Sequence, residues 1–180
     1  MVSARTTGAA CVNKEGKLSR HLSDGGTALH QDGSEYDRVF PAWDWRRPPG
    51  TTTAVNAVDP SCSNAKHKTT STFVGSASDG TYGVAAMHLA GSAKDRDCTA
   101  NKSWLMFDRA IACRGFAASD QTALQTTIET SNLHGAVTFA HGDAATTISS
   151  GTHSFNLSAS AVWVHHRDTG YLLPRTPGAV

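Results

Sequence analysis

Aromatic and charged side chains are concentrated in EYDRVFPAWDWRRPPGTT, the segment from Glu35 to Thr52. Trp43 and Trp45 flank Asp44, so on an extended backbone both indoles would leave one face and the carboxylate the other. An indole is large, rigid and amphipathic, which suits stacking on the C–H face of a sugar ring. The two arginines that follow can pair bidentately with carboxylates or sulfates. The segment therefore predicts a surface that binds an acidic carbohydrate through Trp43, Trp45, Arg46 and Arg47.

The same residue pattern is also typical of simple packing. Aromatic side chains at alternate strand positions usually face a core. A half-buried strand with its arginine pair in solvent would have the same composition, and the residue types alone leave both interpretations open.

The segment also resembles a family signature, PxWDWxxxPGTT, of polysaccharide lyase family 8, which comprises the bacterial hyaluronate, chondroitin AC and xanthan lyases. Other segments resemble further blocks of that family in the same order. These segments are Ser3–Asn13 (SARTTGAACVN), His21–Gly25 (HLSDG), Gly75–Leu89 (GSASDGTYGVAAMHL), Lys102–Gly115 (KSWLMFDRAIACRG), Thr126–Glu129 (TTIE) and Trp163–Leu173 (WVHHRDTGYLL). Collinear blocks across nearly the whole chain are far more specific than one motif, so the chain is identified as a member of the family.

The resemblance implies a fold and a domain organisation. It implies an all-β, antiparallel β-supersandwich of the galactose-mutarotase-like type, with residues 1–180 as part of the central β-sandwich domain. In the family, an N-terminal α/α toroid domain precedes this domain and carries the catalytic groups. No segment of this sequence has the capped 3.6-residue periodicity of a helix, so we expect the toroid to be absent from it.

The activity implied by the resemblance is cleavage of uronic-acid glycans of the hyaluronan, chondroitin or xanthan type by β-elimination. That reaction removes the C5 proton beside a carboxylate, which must be neutralised, and it protonates the leaving oxygen. In the family an Asn, a His, a Tyr and an Arg on the toroid do this, and the β domain adds a Glu to the network. Glu35 is the best match by position for this supporting catalytic role, and Asp44 is second. A solvated strand-end carboxylate is the alternative for Glu35.

Several blocks depart from the family pattern. The family's MDL is Met87-His88-Leu89 here, its HHDG is His165-His166-Arg167-Asp168, and its ENR is Glu129-Thr130-Ser131. Each departure removes or reverses a charge, which buried polar networks tolerate poorly, so we expect a fragment under relaxed constraint or a divergent member of the family. The rival hypothesis from another class is a stand-alone carbohydrate-binding or structural β-sandwich module without catalysis. For either hypothesis we expect the 180-residue chain alone to be inactive.

Composition excludes other classes of partner. The net charge is +1, and positive residues are scattered, which argues against a nucleic-acid surface. No apolar run approaches the roughly 20 residues of a membrane helix. Met1–Val12 lacks the basic start and apolar centre of a signal peptide. We therefore expect a chain that begins inside a longer protein or has lost its export signal, and the resemblance implies that the parent protein is secreted.

Cysteine and histidine spacing predicts no metal or cofactor. Cys11, Cys62, Cys98 and Cys113 show no close pairing, which argues against a zinc ribbon or a redox dithiol. An exported protein, as the resemblance implies, could bridge Cys62 with Cys98, whereas Cys113 is more typical of a small buried hydrophobe. The nine histidines are scattered, and the adjacent His165 and His166 point to opposite faces of a strand.

Alternation of Thr, Val and aromatic residues with small polar ones predicts a series of strands. These are Thr72–Gly75, Gly83–Leu89, Ser103–Asp108, Ala110–Arg114, Gln125–Glu129, Val137–Ala140, Gly151–Leu157 and Ala161–His166. Ala161–Leu173 predicts a hairpin in which Gly170 adopts positive φ. Asn56–Ser71 is the predicted exposed loop.

Overall fold

The computed structural model describes residues 2–4, 18, 21–56, 71–90, 98–119 and 123–176. Every strand pairing in these ranges is antiparallel, and the helical content there is two short 3₁₀ helices, Ser34–Tyr36 and Phe40–Ala42. The predicted all-β, antiparallel class is therefore confirmed. The chain divides into two compact units, one made of Met1–Asp32 and Arg38–Thr130 and the other of Gly33–Asp37 and Ser131–Val180.

The first unit is built around a four-stranded sheet whose strand order is also its chain order. Its strands are β4 (Val74–Ser78), β5 (Gly83–Ala90), β6 (Thr99–Met106) and β7 (Ile111–Ala118). The unit also contains two small two-stranded ribbons. One pairs β1 (Val2–Ala4) with β2 (Asp24–Thr27), and the other pairs β3 (Thr52–Ala54) with β8 (Leu124–Thr126). Because side chains alternate along a strand, one face of β5 and β6 presents the buried apolar residues. These are Met87, Leu89, Ala100 and Trp104.

The second unit contains a four-stranded sheet in the order β10-β9-β11-β12. Its strands are β9 (Val137–His141), β10 (Ala144–Ile148), β11 (Val162–His166) and β12 (Thr169–Leu173). Phe139, Ala140 and Val162 are its buried apolar residues, and the Phe139 ring lies 4.9 Å from the ring of Phe155, centroid to centroid. Two-residue turns connect β9 to β10 and β11 to β12, so the sheet is two hairpins joined through β9 and β11.

The predicted hairpin of Ala161–Leu173 is confirmed, but its positive φ was assigned to the wrong residue. Arg167 has φ of 54°, whereas Gly170 lies inside β12. A positive φ is uncommon for any residue other than glycine, and it is a strained state for a long side chain. In this conformation the Arg167 guanidinium contacts the side chains of Ser34 and Glu35.

The predicted strand Gly151–Leu157 is wrong, because that segment is irregular. Gly151 has φ of 106°, and Asn156 accepts hydrogen bonds from the backbone N–H and hydroxyl of Ser158 at 3.0 and 2.8 Å. Such local side-chain bonds compete with a strand ladder. The other predicted strands overlap β4, β5, β6, β7, β8, β9 and β11, whereas β1, β2, β3 and β10 were not predicted. Residues 57–70 of the predicted loop, and Cys11 and Cys62, lie outside the described residues.

A tight turn at Pro48–Gly50 joins the first unit's elements. Gly50 has φ of 79°, and a Cβ placed on it would lie 2.6 Å from both Cβ and Oγ1 of Thr27. The backbone N–H of Thr27 donates to the carbonyl of Pro49 at 2.8 Å, and that of Gly50 donates to the carbonyl of Thr127 at 2.7 Å. Only glycine allows this backbone approach, which explains the final residue of the Pro-Pro-Gly sequence.

Two side chains from β6 complete the contact with this turn. Lys102, only 8% exposed, donates through its ammonium to the carbonyl of Gly50. Trp104 donates from Nε1 to the hydroxyl of Thr27 at 2.8 Å, and that hydroxyl donates to the carbonyl of Gly25 at 3.1 Å. We call Gly25, Thr27, Gly50, Lys102 and Trp104 the Gly50 junction. It ties β2, the Pro48–Gly50 turn and β6 together through buried polar contacts.

Burial lowers the pKa of Lys102 to about 8, and the nearby Asp24 carboxylate partly opposes that shift. Desolvation also raises the pKa of the Cys98 and Cys113 thiols, while the Lys102 charge acts in the opposite direction on both. The Gly50 junction therefore holds a cation that would release its proton more readily than a solvated lysine.

Replacing Gly50 with alanine should destabilise the first unit severely. The new methyl group would collide with Thr27 and would also have to adopt positive φ, so we expect a loss of at least about 3 kcal/mol in the free energy of unfolding. Gly80→Ala is the matched control, since Gly80 has φ of 95° but no atom within 4 Å of the position that the added methyl group would take. It should lose about 1–2 kcal/mol. Equal losses in urea denaturation would contradict the steric argument.

The Lys102 ammonium should make stability depend on pH in the alkaline range. The unfolded lysine holds its proton up to its ordinary pKa of 10.5 and the folded one only to about 8. The unfolded state therefore binds more protons between these values, and the free energy of unfolding should rise with pH, by about 3 kcal/mol in full. The raised thiol pKa values give the opposite slope above their ordinary 9.0. In a background that carries Cys98→Ser and Cys113→Ser, subtracting the stability curve of Lys102→Met from that of its parent isolates the lysine; two parallel curves would exclude the effect.

Candidate functional site

Three aromatic rings form a cluster in the first unit. Phe40, Trp43 and Trp45 lie with ring centroids 5.4–5.5 Å apart, and the two indoles meet edge to face. The backbone is not the extended strand on which both sequence interpretations depended: Phe40–Ala42 is a 3₁₀ helix and a turn follows it. Pro41 suits the first turn of such a helix. Because residues three apart eclipse one another in a 3₁₀ helix, Phe40 comes beside Trp43.

Sequence reasoning missed Phe40 as a member of this cluster. The available signal was the spacing of Phe40 and Trp43 around a proline, which favours a 3₁₀ turn over a strand. Phe40 is 57% exposed, so it is the cluster's most accessible ring, while both indoles are half-buried.

The polar edges of both indoles are already hydrogen-bonded. Trp43 donates from Nε1 to the carbonyl of Thr130 at 3.0 Å, and Trp45 donates from Nε1 to the carbonyl of Phe40 at 3.1 Å. Each ring is thereby fixed in orientation. A ligand that stacks on the rings need not satisfy an indole N–H.

Asp44 holds Arg46 in a bidentate pair. Arg46 Nε lies 2.7 Å from Oδ1 and Arg46 Nη2 lies 2.9 Å from Oδ2, while the Arg46 backbone N–H also donates to Oδ1 at 3.1 Å. The guanidinium lowers the pKa of Asp44, and the carboxylate raises that of Arg46. A guanidinium has five N–H donors and this pair uses two of them, so Arg46, 45% exposed, keeps donors for an anionic ligand.

Arg47 makes different contacts. Its Nη2 donates to the carbonyl of Val55 at 2.8 Å, just beyond β3, and its Nη1 lies 3.8 Å from Asp44 Oδ2. Its Nε is buried, without a hydrogen-bond partner among the described residues. These contacts make Arg47 chiefly a tie between the turn and β3. Together with Asp44 and Arg46 it leaves a formal local charge of +1.

We call Phe40, Trp43, Trp45, Arg46 and Arg47 the aromatic–arginine strip. A backbone hydrogen bond of 2.8 Å from Arg47 to the carbonyl of Asp44 closes its turn. Pro48 follows at once and leads into Gly50, so the strip is anchored at its C-terminal end by the Gly50 junction. Trp43, Trp45, Arg46 and Arg47, the four binding residues predicted from sequence, and the alternative Asp44 are thus brought together, although not on a strand.

Glu35 belongs to the second unit and has other neighbours. Its side chain is 12% exposed, its Oε2 accepts a hydrogen bond from the Gly33 N–H at 2.9 Å, and its Oε1 lies 3.6 Å from Nη1 of Arg167. The same Nη1 donates to Ser34 Oγ at 3.0 Å. The alternative of a solvated strand-end carboxylate is therefore wrong. The Asp-to-Arg departure at position 167 was the sequence signal, since a cation there can pair with this carboxylate.

Asn132, His134 and His166 fix the segment that carries Glu35. Asn132 donates from its side chain to the carbonyl of Asp37 at 2.8 Å and from its backbone to that of Glu35. The backbone N–H of His134 donates to Nε2 of His166 at 3.1 Å, and Nε2 of His134 lies 3.2 Å from the carbonyl oxygen of Ser34. Glu35 is thus an oriented acceptor on a well-supported segment.

The described part of the chain contains no group of three His, Cys, Asp or Glu side chains placed to hold a metal ion. The described residues also include no helix with the length and apolarity needed to cross a membrane.

Comparison with known proteins points to one family throughout. Residues 1–179 match the model of the polysaccharide lyase family 8 super-sandwich domain. The chain is 33% identical over 178 residues to a chondroitinase-AC of Pedobacter heparinus, an alignment that covers 97% of this chain and 24% of that protein.

Solved structures agree with that match. A chondroitinase AC lyase studied as oligosaccharide complexes superposes with a TM-score of 0.82 at 28% identity, over 97% of this chain and 26% of that one. The Streptomyces coelicolor A3 chondroitin AC lyase in complex with chondroitin sulphate has a TM-score of 0.67 at 23% identity, over 97% and 23%, and it supports the fold alone. The chain thus spans about a quarter of the length of these relatives.

The Asp44–Arg46 pair should contribute to stability only while Asp44 is charged. Its folded pKa lies below the ordinary 3.8, so the contribution is complete above about pH 4 and disappears as the pH falls through the folded pKa. Because the pair is exposed, Asp44→Asn should lower the free energy of unfolding at pH 7 by less than about 1 kcal/mol. In urea denaturation the difference between variant and wild type should shrink as the pH falls through the folded pKa. A difference that stays constant from neutral pH into the acid range would show that the charge is not responsible.

Proposed function

This chain belongs to polysaccharide lyase family 8, and we propose that it forms the β domain of a lyase that cleaves uronic-acid glycans of the hyaluronan, chondroitin or xanthan type by β-elimination. In this proposal the chain supports the substrate cleft and binds the acidic glycan, and the parent protein works outside the cell. Its partner in catalysis is the α/α toroid domain.

The aromatic–arginine strip is the observation that carries the proposal. It combines ring faces of Phe40, Trp43 and Trp45 with the unused donors of Arg46, and its net charge is positive. Sugar rings offer C–H faces for the rings, and uronate or sulfate groups offer oxygen pairs for a guanidinium. One small surface therefore offers partners for both the C–H faces and the anionic groups of an acidic glycan.

Its rigidity matters as much as its composition. The indole N–H groups, the Asp44 carboxylate and the Pro48–Gly50 turn hold the strip before a ligand arrives. A preorganised surface loses little conformational entropy on binding, so modest contacts give useful affinity. This is the property expected of a cleft wall that positions a polymer for chemistry on a neighbouring domain.

Beyond glycan binding, β-elimination requires charge neutralisation and proton transfer. The uronate carboxylate must be neutralised so that the C5 proton can leave, and one group must take that proton while another protonates the leaving oxygen. We assign Glu35 a supporting role in which its oriented carboxylate accepts a hydrogen bond from the catalytic network. Arg167 and the Gly33 N–H hold that carboxylate in a fixed position.

Trp45→Ala should weaken binding of acidic oligosaccharides. Loss of the indole removes stacking area and loosens the rings that pack on it, so we expect at least a tenfold rise in Kd, about 1.4 kcal/mol. The measurement is a calorimetric titration of the folded chain with chondroitin sulfate and hyaluronan oligosaccharides. Trp163→Ala is the matched control, because Trp163 is 40% exposed but lies on β11 in the other unit.

Arg46→Gln separates the ionic part of the same interaction. Arg46→Gln should weaken glycan binding at low salt and make the Kd depend less on salt concentration, because ions screen an exposed charge. Trp45→Ala should leave the salt dependence unchanged. If Trp45→Ala unfolds the chain while the wild type binds no glycan, the strip is only a packing cluster.

The 180-residue chain assayed by itself should produce no unsaturated uronate. The described residues contain no α-helix to present the base and acid that the family places on a toroid, and separated groups lack the orientation that catalysis requires. The assay follows ultraviolet absorbance during incubation with hyaluronan, chondroitin and xanthan. Product that a single His or Tyr substitution abolishes would mean that a complete site exists in this chain. Inactivity even when a family toroid domain is supplied, with glycan binding intact, would favour the binding module.

A further inference from the structure

Strand β7, Ile111–Ala118, forms an open edge of the first unit's sheet. It follows β6 at the end of the strand order, and no other described strand pairs with it. All of its residues except Ala117 are exposed, and Phe116 reaches 71%. The sequence IACRGFAA contains no proline and a single charged residue, Arg114. Natural edge strands usually avoid this combination, because unpaired backbone groups on an apolar strand recruit another strand.

The opposite edge of the sheet is a poorer template. Strand β4, Val74–Ser78, has five residues to the eight of β7, and its sequence VGSAS consists of small residues. Pairing through β7 would therefore form more backbone hydrogen bonds and bury larger side chains.

Symmetry restricts how two copies of β7 can pair. Side chains directly opposite in an antiparallel ladder lie on one face of the sheet, so a two-fold pairing must place one residue opposite itself. Centring on Arg114 would place two guanidinium groups opposite each other, which is destabilising. Centring on Gly115 pairs seven of the eight residues, 112 to 118, and places Arg114 opposite Phe116 of the second copy. Centring on Cys113 or Phe116 pairs only five.

We propose that β7 binds a second copy of this chain in the antiparallel register centred on Gly115, joining two four-stranded sheets edge to edge. In this register each Arg114 guanidinium lies across from the exposed Phe116 ring of the other copy, and two cation–π contacts form about the axis. Gly115 at the axis leaves space where the two strands meet. The charge and the exposed ring of β7 thus complement each other only in this pairing.

Disulfide trapping tests the register directly. Cys113 lies opposite Ala117 of the second copy, so Ala117→Cys should create two cross-strand cysteine pairs within bonding distance. The background carries Cys11→Ser, Cys62→Ser and Cys98→Ser, which leaves Cys113 as its only native thiol. Under mild oxidation this variant should run as a covalent dimer on non-reducing gels.

Two controls fix the interpretation. The same background without Ala117→Cys should stay uncrosslinked, since its two Cys113 residues are offset by four positions, roughly 13 Å along the strand. Ala112→Cys should also stay uncrosslinked, because Ala118 lies opposite. Crosslinking of the background itself would overturn the Gly115-centred register in favour of a Cys113-centred one.

Sedimentation of the reduced protein tests the association itself. Phe116→Arg places like charges opposite each other, and we expect at least a tenfold increase in the dimer Kd. Phe107→Arg is the control, because Phe107 is also exposed but lies in the β6–β7 turn. Both variants should retain the strand signal in circular dichroism. A wild-type chain that remains monomeric up to about 100 µM, or equal dissociation by the two variants, would overturn the proposal.

Discussion

The close approach of Gly50 to Thr27 is the constraint on which the first unit depends. Backbone lies against backbone there with no room for a side chain, and Lys102 and Trp104 reach the same point from β6. A glycine with positive φ is the only residue that satisfies the geometry without strain. The position of the Pro48–Gly50 turn therefore determines where the preceding residues lie, including both arginines of the aromatic–arginine strip. The family signature thus combines the proposed binding segment and its anchor in one stretch of sequence.

The Gly50 junction is polar where an apolar core would be simpler. A buried ammonium is unfavourable, and the depressed pKa of Lys102 expresses that cost. In exchange it supplies a donor to a turn carbonyl that has no strand partner. Buried polar contacts of this kind require one geometry, whereas apolar side chains tolerate several. Their specificity suits a region that must present rings and guanidinium groups in fixed positions.

The regular strands could be predicted from the sequence, because the alternation of residue types that favours a strand is a local pattern. In β5, β6 and β11 the alternation of residue types marks the buried face directly. The conformation of the aromatic segment could not be predicted in this way. A Trp-Asp-Trp pattern suggests a strand, but Pro41 and the hydrogen bonds of both indoles favour a 3₁₀ turn. Strand β2, whose sequence DGGT resembles a turn, exists because of its pairing with β1 and the contact of Thr27 with Trp104. The Glu35–Arg167 pair joins residues far apart in sequence, and only the fold brings them together.

The central claim is that the preformed aromatic–arginine strip, rather than another aromatic surface, faces the glycan. The four tryptophans provide internal controls, since Trp43 and Trp45 lie in the strip, Trp104 in the core and Trp163 on β11. The most direct measurement is a titration of the four indole Nε1–H resonances with a chondroitin sulfate oligosaccharide. The account predicts saturable shifts of the Trp43 and Trp45 signals while the other two stay in place. Shifts confined to Trp163, or none at all under conditions where calorimetry detects binding, would contradict it.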